Sequence, residues 1–143
     1  MDSSEITKSD IAYAAGIIDG EGCISISKGP SYRCRVRVAN TDLRLVNWLQ
    51  KTFGGYANNS AEVRGNRRNQ FEWALNDNAA VEFLHMIKSH LKLKREQAEL
   101  LIEARSTYGG YYRLTGVPKE ILNKRELCYQ KCKDLKKVEF SKL

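Results

Sequence analysis

The 143-residue chain lacks the means to build a zinc site, a disulfide framework or a membrane span. Its four cysteines, Cys23, Cys34, Cys128 and Cys132, include no CxxC pair, and His85 and His90 are its only imidazoles. The ligand spacings of a structural zinc site are therefore missing. Cys23 and Cys34 fall in apolar runs with strand alternation, and Cys128 and Cys132 share one helical face, a pattern that predicts reduced, buried thiols. No apolar stretch approaches the roughly 20 residues of a membrane span, and the polar N-terminus has no signal-peptide core. These absences predict a soluble intracellular protein of the cytoplasm, nucleoid or an organelle matrix, not a secreted one. No internal repeat or linker interrupts the chain, so residues 1–143 are expected to form one domain.

What is present in excess is positive charge. Lys and Arg number 24 against 17 Asp and Glu, a net charge of +7, and the pI is near 9.3. That balance suits a polyanionic partner. Ribosomal and membrane-surface proteins are equally basic, so the placement of the charge is more informative than its total.

Hydrophobic periodicity predicts the elements. Ser9 caps a helix over about Asp10 to Asp19, followed by a strand from Cys23 to Ser27 with Ile24 and Ile26 on one face. Residues 28–32 form a hairpin link to a strand from Arg33 to Val38, in which Cys34, Val36 and Val38 are the apolar positions. Thr41 or Asp42 caps a second helix with the stripe Leu45, Trp48, Leu49 and Phe53, stopped by Gly54-Gly55. A second strand pair, Tyr56 to Arg64 and Gln70 to Leu75, precedes a helix opened by Asp77 and carrying Val81, Leu84 and Ile87. Another helix, Lys94 to Ser106, carries Ala98, Leu101 and Ile102. After a loop over residues 106–117, Pro118 begins a last helix with Ile121, Cys128, Cys132 and Leu135 inward. The fold class is α+β, in the order αββαββα with trailing C-terminal helices.

A four-stranded antiparallel sheet covered on one face leaves the other for water or a ligand. That face is expected to carry Ser25, Ser27, Arg33, Arg35, Arg37, Asn58, Ser60, Arg64, Gln70 and Glu72, with Lys28, Arg67 and Arg68 at the hairpin ends. Arg bridges guanine O6 and N7, Gln reads adenine and Glu accepts from cytosine, while a β-ribbon fits the major groove. A solvated polar face is the bland alternative. Three arginines at alternate positions of one strand repel, however, and an anionic partner would remove that cost.

Residues Ala14 to Gly22 read Ala-Ala-Gly-Ile-Ile-Asp-Gly-Glu-Gly. Asp19 and Glu21 stand at a helix C-terminus, where the macrodipole disfavours carboxylates. A divalent cation is an economical counter-charge, because hard cations take carboxylate and carbonyl oxygens. Gly20 and Gly22 are expected to let the chain turn out of the helix. Ala12, Ala15, Gly16 and Asp19 share helical spacing and form a nearly bare face for a partner helix. Read alone, the acidic turn could equally be a cap.

The whole nonapeptide resembles the signature of the LAGLIDADG homing endonucleases, with Ala, Ile, Gly and Glu in place of Leu, Leu, the second Ala and the second Asp. The element order and polar sheet resemble that family as far as about Ser106. The resemblance implies that Glu21 and the Gly20 carbonyl bind a catalytic metal, Mg²⁺ or Mn²⁺. It also implies that Lys94, in a basic stretch similar to the family's, is the active-site lysine, and that Asn40 orders water where the family often has Gln. A chain with a single motif would act as a homodimer through Ala12, Ala15, Gly16 and Asp19. It would cut both strands of a long palindromic or near-palindromic double-stranded DNA target to leave 3′ overhangs. An RNA-binding intron maturase, or a non-catalytic DNA-binding or protein-interaction domain, are the alternatives.

Overall fold

The computed structural model describes residues 5–29, 32–59, 70–108 and 116–141. In chain order the elements are α1 (Lys8–Glu21), β1 (Gly22–Ser27), β2 (Arg33–Asn40), α2 (Leu43–Phe53), β3 (Tyr56–Asn59), β4 (Phe71–Asn76), α3 (Asp77–Ile87), a 3₁₀ turn (Lys88–His90), α4 (Arg95–Ser106) and α5 (Lys119–Ser141). This is the expected αββαββα order with trailing helices. No helix among the described residues is long and apolar enough to cross a membrane.

The first helix is longer at both ends than its pattern suggested. Thr7, not Ser9, is the cap, because Asp10 completes a capping box. The Thr7 hydroxyl accepts from Asp10 N and the Asp10 carboxylate accepts from Thr7 N, both at 3.1 Å. Asp42 caps α2 by accepting from Arg44 N at 2.9 Å. Gly54 and Gly55 end α2 with φ of 80° and 86°, as the double glycine predicted.

The sheet is antiparallel throughout, in the order β1-β2-β4-β3. Ile24, Ile26, Cys34, Val36, Val38, Trp73 and Leu75 point to the helical side and are buried. Helical faces close over them, although several stripes are rotated from expectation. In α2 Val46 joins Leu49 in full burial while Leu45, Trp48 and Phe53 pack at the margin. In α3 the inward face is Ala80, Phe83, Leu84 and Ile87, with Val81 half-buried, and in α4 it is Gln97, Ala98, Leu101 and Ala104, with Ile102 half-buried. Leu49, Leu84, Ile87, Ala98 and Leu101 are inward as expected, and the residues the pattern missed are mainly small or polar ones, Ala80, Gln97 and Ala104, that fit where elements pack closely.

Edge-to-face aromatic contacts run from the core to the surface: Trp73 to Phe83 at 5.3 Å, Phe83 to Phe53 at 4.9 Å, Phe53 to Trp48 at 5.8 Å and Trp48 to Tyr13 at 5.1 Å. They fix α1 to α2. Cys34, Cys128 and Cys132 are buried free thiols, as expected, whereas Cys23, opposite Arg37 on the uncovered face of the edge strand β1, is only half-buried. Burial pushes the Cys34 thiol up to about 12. Arg125 is a buried cation that the pattern did not foresee. Its guanidinium stacks on Tyr108, 3.6 Å from the ring centre, and Nε donates to Thr107 Oγ1 at 2.7 Å, which docks α5 against the end of α4.

Gly55 combines a left-handed φ with a close approach: a Cβ there would lie 2.5 Å from the Ala74 carbonyl oxygen. Gly55→Ala should therefore lower unfolding free energy by about 2 kcal/mol or more, read as a reduced midpoint in urea denaturation with an unchanged slope.

Candidate active site and nucleic-acid interface

At one end of the sheet, the C-terminus of α1 meets the segment leading into α4. Asp19 turns away from its own helix. Its Oδ2 accepts from Lys92 N at 2.7 Å, and its Oδ1 accepts from Leu93 N at 3.2 Å and Lys94 N at 3.1 Å. Lys94 returns the contact: Nζ donates to the Ile18 carbonyl at 3.0 Å and the Gly22 carbonyl at 2.7 Å. Each charge thereby sits at the helix end of opposite polarity. The cationic compensation expected at the end of α1 is thus supplied in part by Lys94, within the chain.

Asp19 and Ala15 are corrected by this arrangement. Asp19 is engaged within the chain, and Ala15 is 1% exposed in the core stripe with Ala14 and Ile18, so neither lies on an open face. Ala12 and Gly16 do. The exposed stripe is Ala12, Gly16 and Gly20, flanked by Tyr13 at 59% exposure and by Ile17, in an open hollow of about 700 Å³ that reaches Glu21 and Asn40. A Cβ on Gly16 or Gly20 would meet nothing within 4 Å.

Gly20 is still helical, so its freedom to turn is not used. Gly22 is extended, at φ −83°, and is required for space: a Cβ would lie 2.8 Å from the Ile18 Cα and Cδ1. The expectation that both glycines serve a special backbone conformation is corrected accordingly.

Glu21 projects into solvent from the last residue of α1. Asn40, the last residue of β2, donates from Nδ2 to Glu21 Oε2 at 2.6 Å, while Asn40 Oδ1 accepts from Asp42 N at 2.8 Å. Asn40 is therefore anchored on one side and orients Glu21 on the other. Beside them Arg44 chelates Asp42, with Nε at 3.0 Å and Nη2 at 2.8 Å, and holds the Asp42 carboxyl down at about 2. Arg44 remains 90% exposed. Among the described residues no three His, Cys, Asp or Glu side chains converge as a metal site. The hard oxygen donors this chain can bring are the Glu21 carboxylate and carbonyls such as that of Gly20, in a last helical turn where carbonyls lack intrahelical donors.

Strand register places Ser25 opposite Arg35, Ser27 opposite Arg33 and Asn58 opposite Glu72 on the uncovered sheet face. Arg37 belongs to the same face, and Gln70 is exposed just before β4. Ser60, Arg64, Arg67 and Arg68 lie outside the described residues. Lys28 reaches Glu126 of α5 at 3.3 Å, and Tyr32 donates its hydroxyl to the same carboxylate.

Glu72 is not a free base reader as expected: it is 8% exposed and accepts from Arg35 Nη2 at 2.6 Å. Arg33 is likewise held, donating from Nε at 3.2 Å and Nη2 at 2.9 Å to Asp77. The repulsion among the three arginines is thus answered in the folded chain by Glu72 and Asp77. An anionic partner is not needed to explain them. Tyr56, which accepts from Arg35 Nη2 at 2.9 Å, is on this face and was missed, although alternation with Asn58 would have found it. Asp77 had no such signal. Its positive φ of 51° and its bonds to β2 are tertiary facts.

Replacing Asp19 by Ala strips three N–H groups of their acceptor. The expected loss is about 2 kcal/mol of stability, with faster amide exchange at Lys92, Leu93 and Lys94 as the local readout.

No family model and no curated protein matches the sequence. Solved structures do. The archaeal intron-encoded homing endonuclease I-Vdi141I, complexed with DNA, superposes with a TM-score of 0.73 at 13% identity, over 89% of this chain and 84% of that one. The homing endonuclease I-CvuI, in complex with its target in the presence of 2 mM Ca, gives 0.68 at 20% identity, over 89% of this chain and 82% of that one. The LAGLIDADG meganuclease I-AabMI, bound to uncleaved DNA, gives 0.58 at 20% identity, over 83% of this chain but 43% of that longer one. The order of helices and strands, the sheet and the helix that carries the acidic turn are those of the LAGLIDADG homing-endonuclease fold.

Proposed function

We propose that this protein is a homodimeric, site-specific endonuclease that hydrolyses phosphodiester bonds in duplex DNA. The observation that carries the reading is Glu21: a solvent-facing carboxylate at the tip of α1, aimed by Asn40 and continuous with an unfilled glycine stripe. Two glycines inside a helix cost about 1 kcal/mol each relative to alanine. Among the described residues nothing occupies the space they leave, and the close approach of a second backbone would account for them. Packing α1 against its twofold mate would bring two Glu21 residues to a dyad. The 43% coverage of I-AabMI agrees with one unit of a two-unit assembly.

The donor set fits a hard divalent cation, Mg²⁺ or Mn²⁺, held by Glu21 and the Gly20 carbonyl with the rest of its shell from water and the DNA phosphate. Such an ion supplies Lewis acidity and an activated water for phosphoryl hydrolysis. Asn40 fixes the Glu21 carboxylate. Lys94 secures the turn beneath it and places a positive charge beside carbonyls that would otherwise repel the approaching phosphate. The sheet face binds the duplex, and among its described arginines Arg37 is the least restrained, 3.9 Å from Glu72 and with its side chain 46% exposed. The +7 chain becomes +14 when doubled, so affinity should fall steeply with salt.

Glu21→Gln should reduce cleavage of a selected DNA target at least about a hundredfold while leaving its binding intact. Wild-type cutting by this variant would remove Glu21 from the chemistry. Gly16→Leu, which enters empty space in the monomer, should yield a folded monomer in sedimentation that no longer cuts. A cutting dimer would move the interface elsewhere.

A further inference from the structure

Glu72 puts a carboxylate in the middle of a face whose other described residues are basic or neutral. Its Oε1 lies 2.6 Å from Arg35 Nη2 and 3.9 Å from Arg37 Nε. Register places Arg35 opposite Asn76, so its side chain must run along the sheet over Ala74 to reach Glu72. Ala74 is 0% exposed although it faces the uncovered side, as such a covering requires. The same Nη2 also donates to Tyr56 at 2.9 Å, and Arg35 Nε is sealed from solvent with no acceptor among the described residues.

Reading guanine takes two adjacent N–H groups of one guanidinium. With Nη2 engaged twice and Nε sealed, the edge formed by these two atoms is closed, and the Nη1/Nη2 edge is half closed. We propose that Glu72 is a specificity-determining residue that competes with DNA for Arg35. A phosphate exchanges one anion for another and brings its negative charge toward Glu72, which then keeps only Arg37 at 3.9 Å, so it gains little; a neutral base edge brings no such charge. An acceptor pair on a base edge with matching geometry displaces Arg35. Glu72 thereby lowers affinity for arbitrary duplex more than for a matched one. This rests on the reading of the sheet as a duplex-binding face.

The test uses full-length protein, a mixed-sequence duplex of about 30 base pairs and selection from a randomised duplex library, with binding followed against KCl. Glu72→Gln should bind the mixed duplex several-fold more tightly, with a salt slope steeper by about one, and should select a less constrained sequence. Adding Arg35→Gln should cancel that gain. Tyr56→Phe, which keeps Glu72, should move the same readouts the same way by less. Weaker binding of the selected sequence by Glu72→Gln with unchanged mixed-duplex binding would make Glu72 a direct base contact and overturn the proposal. So would a gain that survives Arg35→Gln, or no movement in either single variant. A wild-type protein that binds no duplex would overturn the proposed function as well, whereas the other failures leave it standing.

Discussion

The structure depends on an exchange of charges between two helix ends. A carboxylate at a helix C-terminus and an ammonium at a helix N-terminus are each unfavourable where the sequence puts them. Asp19 reaches across to the N–H groups leading into α4, and Lys94 reaches back to the last carbonyls of α1. One latch satisfies two helix termini and fixes the angle between their elements. It also settles which acid is left over. Asp19 is enclosed in the latch, so Glu21, two residues on, is the carboxylate presented to the outside with Asn40 holding it.

The same economy governs the sheet. Arg33 and Arg35 look like unopposed charges along β2, but Asp77 and Glu72 come from a distant part of the chain to meet them. Arg33 and Arg35 are thereby held in the free protein. Binding must compete with an internal anion, so the arginines along this strand are not equivalent.

Against these satisfied groups stands the open stripe of α1. Gly16 and Gly20 give the helix neither a needed conformation nor room for a neighbour among the described residues of its own chain. Tyr13 closes the aromatic series that begins at Trp73, which makes the stripe's border an extension of the core rather than a mobile surface. Among the described residues, this stripe is the open part of the α1 surface beside Glu21.

The element order, the alternation of β1 and β2, the stop at Gly54-Gly55 and the acidic turn were legible in the sequence, because they follow from local periodicity, capping and left-handed backbone preference. The resemblance of the nonapeptide and the basic stretch also pointed to Asn40, which bonds Glu21, and to Lys94, which bonds the Ile18 and Gly22 carbonyls. The inward faces of α3 and α4 were legible in part: Leu84, Ile87, Ala98 and Leu101 are buried as their spacing indicated, whereas Ala80, Gln97 and Ala104, small or polar, carried no hydrophobic signal for their burial. The capping of α1 by Thr7 rather than Ser9 turned on Asp10, whose role depends on which residue it answers. The sequence by itself determined which residues could be charged, apolar or small, and in what order they would form helices and strands. Only the tertiary structure decided which charges neutralise one another: Asp19 with the segment before α4, Glu72 with Arg35, Asp77 with Arg33. Those pairs span dozens of residues, and an electrostatic partner is selected by distance in space, which no spacing along the chain records.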